Sequence, residues 1–207
     1  MTIIPTSFHY TTITIFILLF IRCTTSQPDT KLSDIDGHVY PTVTIGNKVW
    51  MAANLRVTRY RNGDSIPLIS DTTTWYQGAT GGRCYYNNDT AQFAAYGHLY
   101  NWHAIKDHRN IAPEGWHIPT DEEITALNTA LEKEPAYVNT FKVNGLGGYR
   151  YYTGVTFHTR GFNGYWWSAN RSFEIYDYSP RLFTGFADVQ RNSYEAGYGL
   201  AVRCVKD

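Results

Sequence analysis

The sequence predicts an α+β domain in which two helices flank small, irregular, mostly antiparallel sheets joined by long loops. Three observations carry this. Short β-forming runs crowd both ends of the chain around a helical middle, the order expected when strands and helices segregate rather than alternate. A capping box, Thr120 followed three residues later by Glu123, opens one well-marked helix. Finally, 17 Tyr and 6 Trp accompany 17 Gly among 207 residues; this mix suits many short strands linked by turns, with tyrosines covering core edges and partly exposed surface. A chain of this length supports one core, so one folded domain is expected.

Along the chain, Ile13 to Ile21 is an apolar run broken only by Thr14. It is far shorter than the ~20 residues of a membrane-spanning helix but adequate for a secretory signal. Residues 1–23 are therefore expected to be an export signal, with Cys23 either lipidated or removed by cleavage. Phe20 and Arg22 depart from the usual lipoprotein pattern, and no Lys or Arg precedes the run. Residues 24–33 are polar and contain Pro28, as expected of a short tether to a domain spanning 34–207.

The domain opens with turn and strand signals. Asp36-Gly37 marks a turn, His38 to Ile45 alternates as a strand, and Gly46-Asn47-Lys48 turns into Val49-Trp50-Met51. Asp34 and Asp36 are read as turn residues rather than a calcium loop, because the third acidic ligand and the distant glutamate are missing. Residues 58–90 are rich in Gly, Asn, Asp, Ser and Thr and read as loops held down by aromatics. The first helix is expected within Ala91 to Lys106, although Gly97 interrupts it.

The second helix is more sharply defined. Pro119 biases Ile118 toward extended backbone, Thr120 and Glu123 cap the helix start, and Asp121, Glu122 and Glu123 place negative charge at the positive end of the dipole. Ile124, Leu127 and Leu131 recur at helical spacing and Pro135 ends the run. Trp116 and Ile118 are expected to anchor the core, and His117 to have no chemical partner. From 147 onward, short runs at 149–155, 165–168, 178–183, 186–191 and 200–205 read as strands, with the first and last strands of the domain as neighbours.

Composition excludes several function classes. Lys plus Arg and Asp plus Glu both number 18, so no net field attracts nucleic acid or an acidic membrane; membrane contact is expected only through a lipid on Cys23. No Gly-rich phosphate loop follows a strand, and Ser168 lacks a nucleophile elbow. His98, His103, His108 and His117 lack the spacing of a zinc site. No catalytic residue, metal or cofactor is expected. Apart from Cys23, the chain holds Cys84 and Cys204. They read either as a disulfide closing a loop worth roughly 4 to 5 kcal/mol in the chain-entropy model, or as two buried thiols; the disulfide is the expectation.

Several motifs in order resemble the Fibrobacter succinogenes major paralogous domain, found in predicted surface proteins of Bacteroidetes and relatives. They are Asp36 to Tyr40 with Ile45 to Leu55, Tyr96 to Trp102, Ala112 to Glu122, Gly147 to Arg150, Gly164 to Ser168 and Val202 to Val205. Two of these segments, Trp116 to Glu123 and Val202 to Val205, are also similar to their counterparts in the formylglycine-generating enzyme and sulfatase-modifying family. That similarity implies a C-type-lectin-like α+β fold. A shared fold does not carry a shared reaction, and a bridged Cys84–Cys204 pair could not supply redox thiols. The expected function is an exported, surface-anchored binding or interaction module, its partner an extracellular glycan or a surface protein. The alternatives are an oxidoreductase of the formylglycine-generating type and a purely structural surface component. Candidate binding residues are Tyr165, Trp166 and Trp167, one Trp facing the core and the other serving as a stacking platform, with Arg150, Arg160 and Asn163 adding polar contacts. Glu-Pro-Asn, Gln-Pro-Asp and Trp-Asn-Asp do not occur, so any glycan binding in that loop would be calcium-independent. Oligomeric state is left open.

Overall fold

The last nine residues of the chain, Gly199 to Asp207, organise the described part of the domain. The computed structural model describes residues 32–134, 145–170, 177–183 and 189–207, the backbone alone for 92, 177–183 and 189–194. The expected signal at 1–23, most of the tether and Pro135 lie outside the described residues. Within the unit that runs from residue 31 to the end, Gly199 bridges Arg150, Leu200 bridges Tyr100 and Ala201 bridges Trp166. The Leu55 and Met51 amides then donate to the Val202 and Cys204 carbonyls, and Val205 pairs with Trp50 and His117. One terminal segment thus ties five distant parts of the chain together.

The secondary structure is mixed α and β, with small antiparallel sheets and few helices. Strands β1 (Leu32–Ser33) and β2 (Val39–Tyr40) pair across the Asp34 to Gly37 turn, where Gly37 sits at φ 82°. Strands β3 (Thr42–Ile45) and β4 (Lys48–Met51) form a hairpin. β4 is followed in its sheet by the terminal β13 (Val205–Lys206) and then β7 (Trp116–His117). The last strand therefore neighbours the fourth, not the first, because the opening pair forms its own two-stranded sheet.

The loop-rich stretch is less loose than its composition suggests. Helix α1 (Thr72–Gln77) is started by Asp71, whose side chain accepts from the Thr74 amide, and buries Trp75; a cap of this kind satisfies an orphan donor of the first turn. Strand β5 (Arg83–Cys84) pairs with β6 (Leu99–Tyr100). The single helix expected at 91–106 is instead two short ones, α2 (Phe93–Tyr96) and α3 (Trp102–Ile105), separated by β6. Gly97 explains the break: it sits at φ 73°, and an added Cβ would lie 2.6 Å from the Leu55 carbonyl oxygen, so the helix cannot continue through it.

Helix α4 (Asp121–Lys133) matches its expected bounds, with both hydrogen bonds of the capping box formed and Ile124, Leu127 and Leu131 buried. Beyond it come β8 (Tyr149–Arg150) with β9 (Phe157–His158), then a three-stranded sheet of β10 (Asn163–Tyr165), β11 (Asp177–Phe183) and β12 (Val189–Tyr194). The expected strand at 149–155 is cut to two residues because Tyr151 to Gly154 turns back, Gly154 donating to the Tyr151 carbonyl at φ 78°.

Two apolar clusters lie on opposite sides of the terminal segment. One holds Tyr100, Trp102, Trp116, Tyr165, Trp167, Leu200, Val202 and Cys204. The other holds Trp50, Trp75, Cys84, Leu99, Leu127, Leu131, Trp166, Ala201 and Val205. Even and odd residues from 200 to 202 alternate between the clusters, as side chains along extended backbone must. Among the described residues no helix is long and apolar enough to cross a membrane.

Candidate functional site

The aromatic pair expected to offer a platform is buried on both sides. Trp166 is 4% and Trp167 0% exposed, and Tyr165 is 3%. The alternation is as expected, with Trp166 in one cluster and Trp167 in the other, but each face meets its own core layer. Trp167 donates its indole N–H to the Tyr100 carbonyl at 2.7 Å and packs against Trp102 with ring centroids 5.5 Å apart. Trp166 donates to Asn54 Oδ1 at 2.8 Å, the atom that also accepts from Arg203 Nε. Burial lowers the Arg203 pKa to about 9.

Arg150 is also withdrawn from any ligand. Fully buried, its guanidinium donates to the carbonyls of Ile69, Ser70 and Gly154 and lies over the Trp75 ring at 4.3 Å. It staples the start of α1 to the 150–154 turn. Arg160 is half-buried over Tyr86, 4.7 Å from that ring, and Asn163 donates to the Tyr165 hydroxyl at 3.0 Å. The six candidate binding residues thus do not converge on an open surface.

The expected disulfide is likewise corrected: Cys84 and Cys204 are both buried free thiols. Cys84 lies on β5 in one cluster and Cys204 beside β13 in the other, so the terminal segment separates them. Burial pushes the Cys84 thiol up to about 11 and raises that of Cys204 further. Neither environment favours the thiolate that nucleophilic or redox chemistry needs.

Asp34, Asp36 and His38 bring potential metal-ligating atoms within 4.8 Å of one another, but their acceptors are occupied by protein donors. Asp34 accepts from the Asp36 and His38 amides and the Tyr40 hydroxyl, with His38 Nδ1 at 3.0 Å. Asp36 accepts from the Thr58 amide and hydroxyl and from Arg59 Nε. Burial acts to raise the Asp36 pKa, but these donors outweigh it and hold the carboxyl below its usual range. The cluster is a clasp between the first turn and residues 58–59. A neighbouring cleft of about 280 Å³ is lined by Arg59 and Arg61, whose guanidinium groups are engaged by Ile35, Ala112, Pro113 and Trp116 carbonyls.

His117, expected to stand alone, has two carboxylate partners. Its Nδ1 lies 2.6 Å from Asp207 Oδ1 and its Nε2 2.9 Å from Glu123 Oε2, while Lys48 holds the other Glu123 oxygen. Burial acts to lower the His117 pKa, but hydrogen bonds to Asp207 and Glu123 outweigh it and the net shift is upward. Burial acts to raise the Glu123 pKa, but the Thr120 amide, Lys48 and His117 outweigh it, for a net downward shift. The His117 contribution to stability is complete below the ordinary imidazole value and is lost as pH rises through the raised folded value. The Glu123 contribution is present above the ordinary carboxyl value and is lost as pH falls through the lowered one. The clasp is therefore fully effective between about pH 4.3 and about 6.5. Raising the pH from about 6 to about 9 is expected to remove up to ~1 kcal/mol, given the partial exposure of the pair. Thermal melts of the wild type and His117→Asn across that range check this: the variant should lose the His117 part of the slope, and identical slopes would refute the assignment.

The open site is elsewhere, in a cleft of about 280 Å³ lined by Tyr76, Gly78, His103, Tyr152, Glu195, Ala196 and Gly197. Trp75 and Tyr76 are adjacent on α1 and point about 100° apart around the helix, one inward and one to solvent. Trp75 is 1% exposed and donates its indole N–H to the Gly197 carbonyl at 2.6 Å, whereas Tyr76 is 59% exposed. Helix α1 ends at Gly78, where a Cβ would lie 2.6 Å from the Thr74 carbonyl oxygen. The opposite wall is a turn at 195–198, closed by the Tyr198 amide on the Glu195 carbonyl and tied to α3 by the Trp102 amide on the Ala196 carbonyl. Tyr152 completes the cleft with its ring centroid 6.3 Å from that of Tyr76, and behind it Tyr151, Tyr198 and Tyr149 continue a chain of ring contacts toward buried Tyr165. Ionised Tyr151, then the Glu195 carboxylate, push the Tyr152 pKa upward, and Glu195 is itself among the residues lining the cleft.

Sequence reasoning missed Tyr76, Tyr152 and Glu195. The one available signal was Asp71 as a helix N-cap two residues after the apolar Ile69, which would have put Trp75 and Tyr76 on a helix rather than in a loop. A family model described as the Fibrobacter succinogenes major domain matches residues 43–147. No curated protein and no solved structure matches the chain.

Proposed function

The chain belongs to the Fibrobacter succinogenes major domain family, and from that premise we propose that it is a binding or interaction module exported to an extracytoplasmic face and anchored there, with the tyrosine-lined cleft as its contact site. The observation that carries this is the exposure of Tyr76 on a rigid base. A large aromatic face left in water beside a concavity is a recognition feature, because aromatic surface contributes much contact energy at low conformational cost. Trp75 beneath it and the anchored 195–198 turn opposite it hold both walls in place.

The fold is further read as C-type-lectin-like, on the support of its small antiparallel sheets, the capped α4 and the terminal strand lying beside β4. A formylglycine-generating type of reaction finds no matching chemistry, since the two described thiols are buried on opposite sides of the core. The export signal and lipid on Cys23 rest on the apolar run at 13–21 alone.

The test is an array of glycans and peptides screened against the wild type, Tyr76→Ala and Tyr152→Ala. Ligands of the wild type are expected to lose binding to both variants while melting temperature stays close to the wild-type value. Undiminished binding in both variants would remove the cleft from the reading.

A further inference from the structure

The cleft carries more than an exposed aromatic; its shape and charge select among ligand classes. The Tyr76 and Tyr152 rings are inclined at 46° with centroids 6.3 Å apart, a V-shaped notch. Sandwiching any group between two aromatic faces requires roughly 7–8 Å, a contact distance of ~3.5–4.0 Å on each side, so a ligand meets these rings at the open side of the notch. An ammonium there lies within the ~6 Å reach of both ring centroids over which the ring quadrupole attracts positive charge, an attraction a neutral sugar does not gain.

The electrostatics agree. Among the described residues lining the cleft there is one carboxylate, Glu195, and no lysine or arginine. The volume of about 280 Å³ sits just under the ~300 Å³ at which pockets begin to bury drug-sized molecules, so it suits a small headgroup.

Resting on the reading of this cleft as the contact site, we propose that it receives an organic ammonium group, held against the Tyr76 and Tyr152 faces and neutralised by Glu195. The walls need no rearrangement to do so, because Trp75 and the Ala196 carbonyl already fix them.

Choline is the probe, with 3,3-dimethylbutan-1-ol as its uncharged isostere and glucose as the sugar arm. The readout is the Trp75 indole N–H resonance, which is buried behind the cleft and hydrogen-bonded to the carbonyl of the lining residue Gly197, followed by NMR titration of the full chain. Choline should shift it with millimolar affinity and glucose should not. Tyr76→Ala is expected to weaken choline binding roughly 2- to 30-fold, the range of a cation–π contact, and Glu195→Gln about 2- to 5-fold, as for a partly exposed ion pair. The isostere should bind more weakly by at least the Glu195→Gln factor. Equal shifts from choline and the isostere, or preferential binding of glucose, would overturn the cationic assignment while leaving the cleft as the contact site. Choline binding unchanged in both variants would place it elsewhere and overturn the inference. No response to any probe would overturn it too, and the glycan and peptide array would then decide independently whether the cleft binds anything.

Discussion

Replacing Arg150 with alanine is expected to be among the most damaging single changes in this domain. The side chain is wholly buried and its guanidinium meets the carbonyls of Ile69, Ser70 and Gly154, with Trp75 against its face. Removal leaves three carbonyl oxygens with fewer donors and a void beside Trp75. At ~1–3 kcal/mol for each buried polar group left unsatisfied, partly offset because the charge no longer needs to be buried, a loss of about 3–5 kcal/mol is expected. For a domain of this size that is a drop in melting temperature of roughly 6–20 °C. Arg150→Lys keeps the charge but cannot present a planar fork to several carbonyls, and should fall between the two. A thermal melt in which Arg150→Ala stays within about 2 °C of the wild type would show that the staple is dispensable. The change should also loosen the candidate site, because the same guanidinium fixes the start of α1 and thereby Tyr76.

Trp167→Ala is expected to destabilise to a similar degree, about 3–5 kcal/mol, as for other large aromatic truncations in a packed core. Trp167 fills space beside Trp102 and Tyr165 and donates to the Tyr100 carbonyl, so truncation opens a cavity and removes a buried hydrogen bond. The contrast with Tyr76→Ala is the decisive part. Tyr76 is mostly exposed, and its removal should cost no more than ~0.5 kcal/mol, as for most surface changes, while weakening ligand binding. Paired denaturation and binding measurements separate the two: a Trp167→Ala protein that melts like the wild type but fails to bind would reverse the roles assigned to these aromatics.

These two expectations mark where sequence reading succeeded and where it stopped. Thr120, Glu123, Ile124, Leu127 and Leu131 specified α4 because capping and 3.6-residue periodicity are local properties, and the helix has the bounds they imply. Asp36-Gly37 and Gly46-Asn47 specified turns for the same reason. The adjacent Trp166 and Trp167 were legible as facing opposite ways, since alternation is a property of extended backbone. Whether the outward face met water was not, because that depends on what the rest of the chain lays against it.

The sequence by itself determined the α+β class, the family motifs, the capped helix and the balance of charge. Tertiary structure alone decided which aromatics are buried, that Cys84 and Cys204 lie on opposite sides of the core, and that His117 joins Asp207 to Glu123. It also decided that Tyr76, Tyr152 and Glu195, spread over 120 positions of the chain, share one cleft. The physical reason is that caps, turns and periodicity act over a few residues, whereas burial and juxtaposition arise only when the terminal segment, through its backbone hydrogen bonds at Gly199 to Val205, draws distant parts of the chain onto one core.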